Sequence, residues 1–257
     1  MTLRFEKWQG LGNDFVIVDG RVTPERAQRI CDRRRGIGGD GVLCIEVDAE
    51  QARMTVLNAD GSRPEMCGNG LRCVVGHLAA ARALEEGELV VSTDAGDKRC
   101  RFGRTDHGYE VSVAMGRAEV GEPFRYEHGG RSWAFVPVDV GNPHAVSFDD
   151  HVDGDLDGVG PALEKAQPGG VNVELCRLVD GAIDVVVWER GVGRTLACGT
   201  GACAVAAAAC AAGKVPYDEP VEVRLPGGAL SILVASGDKT VTMVGPAVRV
   251  FEGETAL

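Results

Sequence analysis

Met66-Cys67-Gly68-Asn69-Gly70 returns as Ala197-Cys198-Gly199-Thr200-Gly201 at an offset of 131 (67 to 198), and this echo decides the fold. Working outward, each copy follows an apolar, strand-like run whose last, polar residue stands nine positions before the cysteine. These runs are Arg53-Met54-Thr55-Val56-Leu57-Asn58 and Asp184-Val185-Val186-Val187-Trp188-Glu189. Arg63 and Arg194 keep the same offset, as do the turns at Ala95-Gly96 and Pro226-Gly227. A second series runs at an offset of 129 (12 to 141): Gly12-Asn13-Asp14 with Gly141-Asn142-Pro143, and Met115-Gly116-Arg117-Ala118 with Val244-Gly245-Pro246-Ala247. Chance does not give an ordered series of matches, so the chain reads as a duplication.

Each Cys-Gly turn leads into a helical segment, predicted over Gly68 to Glu86 with Gly87 as its stop, and over Gly199 to Ala212 with Gly213 as its stop. Both segments are apolar nearly all round, which marks a buried helix. Short β-branched runs flank them, so the natural partner is a curved sheet wrapped around each helix. A third helix is predicted over Pro24 to Arg34, with Thr23 as N-cap and Pro24 at the first helical position. The fold class is α/β of the α+β type: two pseudo-symmetric duplicated domains, each a curved, barrel-like, mainly antiparallel sheet around a central helix.

Composition narrows the function. A chain of 257 residues, 44% hydrophobic, can bury a sizeable core, and 36 glycines with only 5% aromatics imply many turns and close backbone approaches. The net charge of -11 argues against nucleic acid as a partner. The basic run Arg33-Arg34-Arg35 is expected to sit at a helix end, where cations favour the dipole. The opening residues lack a leader pattern and no run of 18 apolar residues occurs, so the expectation is a soluble, cytoplasmic protein with no membrane partner. Nine cysteines without a C-x-x-C pair or metal-ligand spacing suit neither a disulfide scaffold nor a metal site. Most read as small core residues.

Cys67 and Cys198 stand apart, because each opens a helix. A helix N-terminus favours negative charge, so the thiol pKa is expected to fall. Adjacent glycines let a ligand approach, and the free N–H groups of a first turn bind a carboxylate. Duplication is expected to oppose two such turns across an interdomain cleft. A carboxylate held between them, with a thiol on each side of its Cα, describes a racemase: one thiolate removes the proton and the other thiol delivers one to the opposite face. No metal or cofactor is implied.

Further motifs accompany these turns: Gly10-Leu11-Gly12-Asn13-Asp14-Phe15, Asn58-Ala59-Asp60-Gly61-Ser62, Gly141-Asn142-Pro143-His144, Val171-Asn172 and Glu189-Arg190-Gly191. With the two cysteine motifs they resemble the diaminopimelate epimerases along essentially the whole chain. The resemblance implies cofactor-independent interconversion of LL- and meso-diaminopimelate, a step toward lysine and peptidoglycan precursors, in a homodimer. It also implies that the extreme C-terminus rejoins the first domain, giving domains of 1–118 plus 249–257 and 119–248. By matching position, Cys67 and Cys198 carry the acid/base pair, supported by His144 and Glu189. Gly68, Asn69, Gly199 and Thr200 would hold the reacting carboxylate. Asn13, Asn58, Asn142, Asn172, Glu189 and Arg190 would hold the remainder of the substrate. The residue types suit this: a guanidinium takes a distal carboxylate and a carboxylate takes an ammonium.

Asn13 and Asn142 equally fit ordinary Gly-Asn turns, and Glu189-Arg190 a surface ion pair at a strand end. Two departures stand out: Lys7-Trp8-Gln9-Gly10 where many members read Lys-Met-His-Gly, and Gly41 where some carry glutamine. Three rivals stay open: a two-cysteine racemase of proline, hydroxyproline or histidine, a dithiol redox protein, and a non-catalytic amino-acid-binding module.

Overall fold

The computed structural model describes residues 2–48, 51–152 and 154–256. They form two compact units, Met1–Val113 with Val244–Leu257, and Ala114–Met243. The first contains β1 (Leu3–Gly10), β2 (Asn13–Asp19), α1 (Pro24–Cys31), β3 (Gly41–Val47), β4 (Ala52–Asn58), α2 (Gly68–Ala81), β5 (Glu86–Thr93), β6 (Gly96–Thr105) and most of β7 (Gly108–Arg117). The second contains β8 (Glu119–Val120), β9 (Phe124–His128), β10 (Arg131–Asp139), β11 (Pro143–Ser147), α3 (Asp155–Ala166), β12 (Asn172–Val179), β13 (Ala182–Glu189), β14 (Gly193–Thr195), α4 (Gly199–Ala211), β15 (Val221–Leu225) and β16 (Gly228–Val234). The last strand, β17 (Thr240–Thr255), returns the chain to the first unit from Val244 onward.

In the first unit β2 and β3 run parallel on either side of α1, and β4 and β5 run parallel on either side of α2. The pairs β1–β2, β3–β4, β5–β6, β6–β7 and β1–β17 are antiparallel. Pairing of β7 with β17 closes the ring. Helix α2 touches β1 through β6 and so occupies the middle of this sheet. The second unit repeats the scheme. Strands β11 and β12 are parallel across α3, β13 and β15 are parallel across α4, and β10–β11, β12–β13 and β15–β16 are antiparallel. Helix α4 meets β8, β10 to β13, β15 and β16. Both sheets mix the two pairing modes because each buried helix serves as a parallel crossover.

Helix α2 packs closely enough to need glycine in its middle. A Cβ at Gly76 would stand 2.8 Å from the Trp8 ring and 3.2 Å from Ala247. Trp8, one of the family departures, is therefore core filler, 1% exposed, with its indole N–H donating to Glu6. At Gly41 a Cβ would lie 2.8 Å from the Leu57 carbonyl oxygen, so this stretch of β3 is built without a side chain.

Two helix boundaries differ from expectation. Helix α2 stops at Ala81, because Ala83 takes the left-handed conformation (φ 51°) expected of a glycine. Its N–H reaches Ala80 and that of Leu84 reaches Ala79, the hydrogen bonds of a Schellman turn. Helix α4 closes the same way with Gly213 (φ 66°) in that place. Helix α1 ends at Cys31, so the arginine run lies beyond it. Arg33 instead forks onto Asp14 and also binds Asp40, while the Arg34 and Arg35 backbone N–H groups donate to Asp32. Among the described residues no helix is long and apolar enough to cross a membrane.

Candidate active site

Each cysteine is the N-cap of the helix it opens. Cys67 is extended (φ -136°, ψ 113°) and its Sγ accepts the Gly70 N–H at 3.4 Å. Cys198 repeats this (φ -124°, ψ 110°), its Sγ accepting the Gly201 N–H at 3.3 Å. A thiol thus fills the position usually held by Ser, Thr, Asp or Asn. Gly68 and Gly199, the first residues of the two helices, are buried and leave the first-turn N–H groups unscreened by side chains.

In the first unit Asn69 is buried and its Nδ2 donates to Asn13 Oδ1 at 3.2 Å. Asn13 Nδ2 in turn donates to Asp40 Oδ2 at 2.7 Å. Asn58, at the end of β4, donates to Ser62 within its own turn. The floor of this unit is charged. Buried Lys7 pairs with Asp14 at 2.5 Å and donates to the Gly38 carbonyl. Burial alone would lift Asp14, but hydrogen bonds from Arg33 and Lys7 pull it down to about 2.

The second unit gathers more chemistry. Cys198 Sγ lies 3.4 Å from Thr200 Oγ1. His144, wholly buried, sits between Glu174 Oε1 (2.6 Å) and Asn142 Oδ1 (3.0 Å). Asn172 donates to the Pro143 carbonyl and accepts the Arg190 backbone N–H. Glu189 and Arg190 part company: Glu189 accepts from Thr195 at 2.5 Å, whereas the exposed Arg190 guanidinium donates to the Gly169 carbonyl.

The electrostatics of Cys198 run opposite to the helix-dipole expectation. Burial first, then the carboxylates of Glu189 and Glu174, push its thiol well above the ordinary value, outweighing the donors Thr200 and Gly201. Burial likewise raises Glu189. Both shifts favour the neutral form of the group concerned.

Glu174 and Asp40 lie outside the motifs that the sequence displays. Glu174 had a signal: in Asn172-Val173-Glu174 the period-two alternation puts both side chains on one face of β12, in line with Cys176 and Leu178. Asp40 had none, since an acidic residue before a glycine is common in turns.

Comparisons with known proteins agree with this picture. A family model described as diaminopimelate epimerase matches residues 5–121 and 136–250. A diaminopimelate epimerase of Rhizorhabdus wittichii is 42% identical over 279 residues, covering 100% of this chain and 97% of the relative. One from Synechocystis sp. is 38% identical over 284 residues, covering 100% of each. Among solved structures, the fold is similar to a PhzF-family phenazine biosynthesis protein of Bacillus anthracis (TM-score 0.79, 16% identity, 100% of each chain). It is also similar to a hydroxyproline epimerase of Agrobacterium vitis (TM-score 0.75, 18% identity, 100% of this chain and 93% of that one).

Proposed function

The chain belongs to the diaminopimelate epimerase family and is an isomerase that epimerises diaminopimelate, and from that premise we propose that Cys67 and Cys198 are its acid/base pair. The observation that carries the assignment is the repeated geometry of the two thiols, each an N-cap whose sulfur takes the N–H three residues on. Inversion at Cα requires the proton to leave one face and another to arrive on the opposite face. Cys198, whose thiol burial and the nearby Glu189 and Glu174 push up, is the proton donor in the direction in which Cys67 acts as base. In the reverse direction the roles exchange.

Carbanion formation moves negative charge onto the substrate carboxylate, so first-turn N–H groups at Gly68, Asn69, Gly199 and Thr200 stabilise the transition state more than the ground state. His144 and Glu189 support the acid/base step. Asn13, Asn58, Asn142, Asn172, Glu189 and Arg190 hold the remainder of the substrate, the exposed Arg190 fork suiting a distal carboxylate. The family resemblance supports a cytoplasmic homodimer with no bound cofactor, built from domains of 1–118 plus 249–257 and 119–248.

The direct test is to incubate reduced protein with LL-diaminopimelate in deuterium oxide and follow it by NMR. Meso product carrying solvent deuterium at one Cα, with nothing added, is the expected result. A folded, reduced protein that neither exchanges nor converts it would move the substrate to another amino acid, beginning with proline, hydroxyproline and histidine.

A further inference from the structure

In the second unit an unbroken run of hydrogen bonds joins a fully buried carboxylate to a cysteine sulfur. From Glu174 Oε1 the steps are 2.6 Å to His144 Nδ1, 3.0 Å from His144 Nε2 to Asn142 Oδ1, 3.3 Å from Asn142 Nδ2 to Thr200 Oγ1, and 3.4 Å from Thr200 Oγ1 to Cys198 Sγ. The sheet builds its first step. His144 stands opposite Asn172 and Val146 opposite Glu174 across the parallel β11–β12 pair, so His144 and Glu174 are diagonal neighbours on one face. Gly201 permits the approach from the helix side, since a Cβ there would lie 2.9 Å from Glu174 Oε1.

The direction of the run follows from what each group can do. A carboxylate only accepts, so His144 Nδ1 donates to it. Asn142 spends its N–H on Thr200 and turns its oxygen to the ring, so His144 Nε2 donates as well. Both ring nitrogens thus face acceptors, the arrangement that suits an imidazolium beside the Glu174 carboxylate. The Thr200 oxygen, having accepted from Asn142, gives its own hydrogen to Cys198 Sγ. In the first unit, which has no histidine at this place, Asn69 donates to Asn13 and Asn13 to Asp40, so these bonds run toward the carboxylate.

We propose that Glu174 is a positioning residue for Cys198, acting through His144, Asn142 and Thr200 to aim the Thr200 hydroxyl at the sulfur. This rests on the acid/base assignment of Cys198 given above. When Cys198 passes its proton to the substrate carbanion, a C–H bond forms, the S–H bond breaks and the electron pair stays on sulfur. The new thiolate is then met by the Thr200 O–H and the Gly201 N–H. Without the Glu174 charge, His144 is neutral, Asn142 turns over, and Thr200 donates to Asn142 instead.

The test is a double-mutant cycle on LL-diaminopimelate turnover with Glu174→Gln and Thr200→Val. Each single change should lower kcat roughly tenfold, the scale of losing an outer-shell partner, with KM within about twofold. The double variant should fall no further than the worse single one, and Thr200→Ser should recover most of what valine loses. Losses that multiply toward about a hundredfold would overturn the proposal, because they describe two independent structural defects. A second readout does not depend on turnover. In histidine-labelled protein, 15N NMR should show both His144 nitrogens protonated, and Nε2 bare in Glu174→Gln. A neutral His144 in the unaltered protein overturns the proposal whatever its activity. An inactive protein with the imidazolium signature upholds the hydrogen-bond direction and overturns the assigned substrate.

Discussion

Cysteine is an unusual choice for an N-cap, and the two caps here separate stability from chemistry. A serine hydroxyl is the better acceptor for an N3 N–H but a far poorer acid or base near neutral pH. Cys67→Ser and Cys198→Ser should therefore unfold at the same denaturant midpoint as the parent, or slightly above it, while epimerisation drops by about a thousandfold or more. Cys67→Ala and Cys198→Ala should lose activity equally and also cost about 0.5–1 kcal/mol of stability, the low end for a lost cap. Substantial turnover in any of the four would remove the two-thiol mechanism. At this scale the sequence was informative where identity and spacing coincide, as at Cys67 and Cys198. It misjudged Cys198's proton affinity, because burial and two nearby carboxylates are tertiary facts that no local pattern carries.

Helices and strands show the same division. The stop of α4 was legible because Gly213 holds the left-handed position. The stop of α2 was not, because Ala83 occupies the equivalent position at a steric cost, and an alanine gives no stop signal. Exposed and outside the candidate site, Ala83 is a place to relieve strain. Ala83→Gly should stabilise the protein by about 0.5–1 kcal/mol, and Gly213→Ala should destabilise it by a similar amount. Urea midpoints check both, and a destabilised Ala83→Gly would mean that unfolded-state entropy outweighs the relieved strain. Strands β8 and β14, two and three residues long, lie below what alternation can resolve. The parallel pairs around α2 and α4 leave no mark in the sequence, because a strand buried on one face reads alike in either direction.

Across the whole molecule, buried thiols set the alkaline limit of stability. Burial lifts Cys73 and Cys100 to about 12 and Cys31 to about 11, against an ordinary value of 9.0. Above pH 9 the unfolded chain releases protons that the folded one keeps, so stability is intact below that pH and falls as pH rises toward 11 and 12. Each such thiol contributes a slope of about 1.4 kcal/mol per pH unit in that window. The melting temperature should be level near neutrality and drop steeply above about pH 9, with a shallower drop in a Cys73→Ala, Cys100→Ala double variant. A profile level to about pH 10.5 would contradict this. In acid the sign reverses: Asp14, at about 2 rather than 3.8, loses its contribution as pH falls through that interval.

The pairing of β1 with β17, Leu3 opposite Thr255, also bears on how the chain is born. Strand β17 is made after every other strand, so one edge of β1 stays open until it arrives. Strands β8 to β16 leave the ribosome in one contiguous stretch and can condense as they emerge. The unit that holds Cys198 is thus able to mature before the unit that holds Cys67, whose sheet closes only when β17 returns to it.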